Sequence, residues 1–217
     1  MLAKRENDMK KRIVLLIVAI IAIYIWGEVE KEEDIQSGIK DKLLRYHVIA
    51  NSDSEEDQQV KLKVKQAVLD AIKEKLSPAK DAPQAIEIVE SNKEYILKVA
   101  NDVLTGEGVD YKARVEVASR YFPTKVYGDL VLPPGQYNGL IIELGNAQGK
   151  NWWCVLFPTL CFVEPEYGVL PEESKEKLSK VLTTEEYYAV IDDEDTQIKV
   201  ESKIINKILN FTEGLKT

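Results

Sequence analysis

Val109-Asp110-Tyr111-Lys112-Ala113-Arg114-Val115-Glu116-Val117 alternates without a break between apolar and charged residues. Side chains along a strand point to opposite faces in turn, so this stretch predicts a strand with one face on a core and the other in water. A sheet of that kind needs cover on one side only, and the residues before it supply the cover. Pro83 opens a helix carrying Ile86, Val89, Ile96, Ala100 and Val103, which stops at Gly106. Upstream, Ser52 stands three residues before Glu55 and Ser54 three before Asp57, both capping spacings. The acidic residues Asp53, Glu55, Glu56 and Asp57 suit the positive end of a helix dipole. That helix runs to about Leu76, with Val60, Val64, Ala67, Val68, Ala71 and Ile72 on one stripe, and Ser77-Pro78 ends it.

Before the caps, Leu44, Tyr46, Val48 and Ala50 alternate with Arg45 and His47, a first strand. Leu43 and Ile49 suggest partial burial of its second face. After the opening stretch come two more strand candidates, Lys125–Leu132 and Tyr137–Leu144, joined by the turn residues Pro133-Pro134-Gly135. The order strand, helix, helix, strand, strand, strand predicts an α/β domain of the α+β type. It has two layers, a mostly antiparallel sheet covered on one face by two helices.

The N-terminus is of another kind. Lys4, Arg5, Lys10, Lys11 and Arg12 precede an uncharged, almost wholly apolar run from Ile13 to Gly27. A basic stretch before an apolar run is the layout of a signal peptide or signal anchor, residues 1–26. The run is short for a membrane span of about 20 residues. Cleavage finds one small residue, Gly27, in Ile25-Trp26-Gly27, so a cleaved signal and an uncleaved anchor both remain open. Either places the rest outside the cytoplasm, secreted or membrane-anchored. Charged residues 27–42, with Ser37-Gly38, read as a linker to a domain at 43–164. The chain carries −8 overall; without its first 26 residues, which hold five basic and two acidic groups, it carries −11. Such a body is repelled by nucleic acid, so nucleic-acid binding is excluded. Residues 165–217 read as a helical tail. Leu178, Val181 and Leu182 mark one helix, and Ile198, Ile204, Ile205, Ile208 and Leu209 an amphipathic C-terminal one, which packs on the domain or binds a partner.

No catalytic constellation emerges. His47 is the single histidine and reads as a structural or surface residue. Nucleophile-elbow, phosphate-loop and metalloprotease patterns are missing, and Asp53–Gln58 lacks the glycine a calcium loop needs, so no metal or cofactor is expected. Asn210-Phe211-Thr212 matches a glycosylation sequon, a pattern short enough to occur by chance.

Both cysteines, Cys154 and Cys161, lie in Asn151-Trp152-Trp153-Cys154-Val155-Leu156-Phe157-Pro158-Thr159-Leu160-Cys161-Phe162. Seven steps span about 10.5 Å in a helix and about 23 Å in a strand, beyond the 4.4–6.8 Å between Cα atoms that a disulfide requires. If the two are bridged, the chain reverses between them, with Phe157-Pro158-Thr159 as the corner. Closing the loop is worth about 2.5 kcal/mol in chain entropy. The reversal would gather Trp152, Trp153, Phe157 and Phe162 into one aromatic knob. The knob either fills the core or exposes a face that docks a partner, since Trp is enriched among interface anchors.

Several stretches resemble a known family. Ile49-Ala50-Asn51-Ser52-Asp53-Ser54 followed by Asp57-Gln58-Gln59, then Phe122-Pro123-Thr124-Lys125-Val126-Tyr127-Gly128, Pro134-Gly135-Gln136-Tyr137, Gly145-Asn146 and the Trp-Trp-Cys run are similar to stage II sporulation protein R. The likeness spans about Leu43 to Val163. It implies a signal, not an enzyme. Members are exported from the forespore into the space facing the mother cell, where they trigger a membrane aspartic protease that processes the sigma-E precursor. On that reading the partner-binding candidates are Trp152, Trp153, Phe157 and Pro158, with Asn51, Ser52, Asp53, Phe122, Pro123 and Tyr127 nearby. The alternatives are an extracytoplasmic cell-wall hydrolase using paired carboxylates, or a tethered protein that assembles through its tail.

Overall fold

The computed structural model describes residues 2–161 and 169–191, with the backbone alone for residues 2–11, 13 and 14. Helix α1, Leu2–Lys42, runs through both the apolar segment and the charged one, so residues 28–42 are helical. In the N-terminal unit, residues 1–37, Leu15, Leu16, Ile17, Val18 and the apolar residues up to Trp26 are exposed. Among the described residues no helix is long and apolar enough to cross a membrane.

The second unit begins at Gly38. Its order is β1 (Leu44–Ile49), α2 (Glu55–Leu76), α3 (Ala82–Ser91), α4 (Lys93–Gly106), β2 (Ala113–Phe122), β3 (Lys125–Tyr127), β4 (Leu130–Leu132), β5 (Gly135–Leu144), β6 (Asn151–Phe157), α5 (Glu172–Val181) and α6 (Thr184–Val190). Four strands form one sheet in the order β2-β5-β1-β6. The pairs β2–β5 and β1–β6 are antiparallel, and the central β1–β5 pair is parallel. The long excursion through the helices returns the chain beside β1 in the same direction, as a parallel pair requires. The fold is thus the expected mixture of helices over a mostly antiparallel sheet.

Ser54 caps α2, its hydroxyl accepting from the Asp57 N–H at 3.2 Å. The expected second helix is two, α3 and α4, broken at Asn92. The Asn92 side chain donates to Ile88 O at 2.7 Å, giving the backbone a local alternative to continuing the helix. The strand predicted at 109–117 keeps its phase but moves to 113–122. Pairing starts at Ala113 because the partner strand ends at Leu144. The strand expected over 125–132 folds back on itself instead. Gly128, at φ +63°, makes the turn between β3 and β4 at a conformation other residues rarely adopt.

Leu44, Tyr46, Val48, Leu140, Ile142 and Leu144 face the helices and meet Val64, Val68, Ile72, Val89, Ile96 and Ala100 in one core. Residues 169–191 pack back on the β3–β4 hairpin. Lys175 pairs with Asp129 at 2.7 Å, Leu170 N–H donates to Asp129 Oδ1, and Leu130 bridges to Ile191. The helix α6 opens with a capping box, Thr183 and Glu186, and the same Glu186 accepts from Lys42 at 2.6 Å. The C-terminal helix expected at 197–211, the sequon and Phe162 lie outside the described residues.

Candidate functional site

The sheet separates the two tryptophans. Trp152 turns toward the helices, edge-on to Tyr46 at 5.5 Å between ring centres, with the Lys65 ammonium 5.1 Å from its ring. Trp153 turns the other way and stacks on His47 at 3.6 Å and 12°. Phe157 joins the helix-side core. The aromatic residues expected in one knob are thus divided between two faces, as adjacent strand residues must be. The chain does reverse at Pro158, which follows a cis peptide bond, and Leu160 N–H returns to Val155 O at 3.3 Å. That reversal brings Cys154 and Cys161 to a Cα separation of 5.6 Å, and they are bridged.

Around Trp153 the face opposite the helices gathers side chains from four strands. Phe122, at the end of β2, stands edge-on to Trp153 at 5.0 Å and to Tyr137 at 5.8 Å. Arg45 lies beneath, fully buried, its guanidinium 4.7 Å from the Phe122 ring and 5.0 Å from Tyr137. It donates to Cys154 O at 3.1 Å and to the Tyr127 hydroxyl at 3.3 Å, and Nη1 has no hydrogen-bond partner among the described residues. Its charge rests on ring faces and neutral oxygens. Burial therefore lowers its pKa, while burial raises the Tyr127 and Tyr137 hydroxyls, Tyr137 to about 12. Lys125 on β3 adds a second cation, 5.5 Å from the Trp153 ring.

His47 is held neutral here. Its Nε2–H donates to Asn151 Oδ1 at 2.7 Å. Burial pushes its pKa down to about 4; the Asn151 bond and Glu143 oppose this, and Arg120 and Arg45 add to it. A ring already committed to Asn151 and covered by Trp153 suits stacking and positioning more than proton transfer.

Asn51, Ser52 and Asp53 belong to a second network at the C-terminal end of β1. Asp57 is its centre, accepting from Ser52 Oγ at 2.5 Å, Tyr111 OH at 2.6 Å and Asn51 Nδ2 at 2.9 Å. Burial alone would raise the Asp57 pKa, but these bonds together hold it below the ordinary range. Asn51 Oδ1 accepts from Asn146 N–H, and Asp53 Oδ1 from Lys150 N–H at 2.7 Å. Gly145, at φ +56°, leaves no room for a side chain, because a Cβ there would collide with Asn51 and Tyr111. The corner ties the sheet to α2.

Of the sequence candidates, Phe122 and Tyr127 come together at Arg45, and Trp153 joins them through Phe122. Trp152 and Phe157 lie on the other face, and Asn51, Ser52 and Asp53 form the corner. Pro123 follows Phe122 directly and ends β2. Sequence reasoning passed over Arg45 and Tyr137, and gave His47 only a surface or structural role. The one signal was that Arg45 and His47 share a strand face with a residue, Ile49, that seeks burial.

The model of the family stage II sporulation protein R matches residues 40–167, a span that holds every strand of the sheet. Stage II sporulation protein R of Bacillus subtilis (strain 168) is 33% identical over 184 residues, covering 82% of this chain and 82% of that protein. No solved structure matches the chain. The chain belongs to the stage II sporulation protein R family.

Proposed function

We propose that this chain is an exported sporulation signal and not an enzyme. Delivered outside the forespore by its N-terminal segment, it binds the extracytoplasmic part of a membrane aspartic protease in the mother-cell membrane. Binding activates that protease, and the sigma-E precursor is cleaved. Membership of the sporulation protein R family carries this reading. Two observations support it. The Cys154–Cys161 bridge suits an oxidising compartment, and the basic-then-apolar N-terminus suits export. Among the described residues, the carboxylates whose pKa is displaced, including the buried Asp57 and Glu186 and the half-buried Asp129, move down, whereas a hydrolase acid needs one raised.

We assign the receptor contact to the partly exposed Trp153 and Lys125, with the buried Phe122 as the support beneath them. The test is co-expression with the candidate protease and its precursor in a non-sporulating host. Cleavage that depends on this chain is expected. Trp153→Ala should abolish cleavage while the protein accumulates folded; a folded, fully active W153A would remove this face from the contact.

A further inference from the structure

Strand β2 sits at an edge of the sheet, paired along ten residues with β5 on one side and with no strand of the described residues on the other. Gly145 N–H donates to Lys112 O, which fixes the alternation: even-numbered residues of β2 exchange bonds with β5, and odd-numbered ones turn their N–H and C=O outward. Ala113, the first of these, gives its N–H to Asn101 Oδ1 on α4 at 3.0 Å. The open edge is therefore Val115, Val117, Ser119 and Tyr121. Free edges are ordinarily blunted by lysine, proline or a bulge. Between Val115 and Tyr121 there is no lysine or proline, the two charges, Glu116 and Arg120, are of opposite sign, and the register with β5 is unbroken.

We propose that this edge pairs antiparallel with the same edge of a second copy, about a two-fold axis through Ala118, making one continuous sheet. Charge selects the register. Outward-facing residues must oppose outward-facing ones, which confines the axis to a few positions. Through Ala118 it sets Glu116 against the partner's Arg120, twice by symmetry. One residue earlier it opposes Arg114 to Arg120, two earlier it opposes Glu116 to itself, and one later it forms no unlike pair. The Ala118 axis also sets Val115 against the partner's Tyr121, a favourable β-branched and aromatic pair, and Tyr121 is 61% exposed in the single chain. Within one chain Glu116 and Arg120 already meet at 2.6 Å, both about half exposed, so exchanging partners loses little.

The register makes the test specific. Residues at Ala118 would face each other at about 4.5 Å between Cα atoms, within disulfide reach. Full-length A118C is expected to run as a covalent dimer on a non-reducing gel. E116C and R120C alone stand about 13 Å from their own symmetry mates and stay unlinked, but link when co-expressed. In detergent micelles at physiological salt, R120E should weaken self-association about tenfold by sedimentation, and E116R/R120E should restore it. An A118C chain that stays unlinked overturns the proposal. So does self-association that R120E leaves unchanged, which would place the contact on another surface.

Discussion

The face of the sheet under the helices and the face beneath the β3–β4 hairpin are both buried over β1, but by different chemistry. Leu44, Tyr46 and Val48 meet aliphatic helix residues and make one core. One residue out of phase, Arg45 and His47 meet Phe122, Tyr137 and Trp153, with one guanidinium nitrogen left without a partner. The first face follows from apolar burial and resists loss of volume. The second brings a cation and a titratable ring out of water, and it keeps aromatic surface within reach of solvent. On the proposed reading, stability and recognition are placed on opposite sides of the same strands.

The largest effect should come from the first face. Leu140→Ala leaves a hole in the central strand pair and is expected to cost about 3–4 kcal/mol by urea denaturation. The disulfide links neither face to the other but closes the turn after β6. Cys154→Ala with Cys161→Ala should cost about 2.5 kcal/mol, read as a lower urea midpoint.

Acid should act on the second face. The folded pKa of His47, about 4, lies below the unfolded 6.5, so the unfolded chain binds the proton first. Stability is full above pH 6.5 and falls as pH drops toward 4, by about 2 kcal/mol after allowing for partial solvent screening. His47→Phe should flatten that window in a pH series of melts. A wild-type curve flat between 6.5 and 4 would show the ring to be solvated.

The smallest change in stability tests the contrast most closely. Arg45→Met replaces a buried cation with apolar volume and should shift stability by less than about 1 kcal/mol, in either direction. If both faces were held by the same forces, it would cost as much as Leu140→Ala.

Much of this was legible in the chain. The strict alternation at 109–117 announced β2, and Ser54 with Asp57 announced the start of α2, because pleat and cap are local chemistry. If Cys154 and Cys161 were bridged, their spacing required a reversal, and the reversal is found at Pro158. The break at Asn92 was harder to read, since a side-chain bond to Ile88 decided it within an otherwise helical pattern. The hairpin at Gly128 was misread as one strand, because a single glycine is weak evidence against an apolar run.

The sequence alone determined the helix and strand periods, the export-like N-terminus and the pair of cysteines, all set by neighbours a few residues apart. Only the tertiary structure decided that Trp152, and not Trp153, turns to the helices and that Arg45 is buried. It also decided that β2 has no second strand beside it among the described residues. Those outcomes depend on which strands lie side by side, and strand order is fixed by contacts across the chain that no local period records.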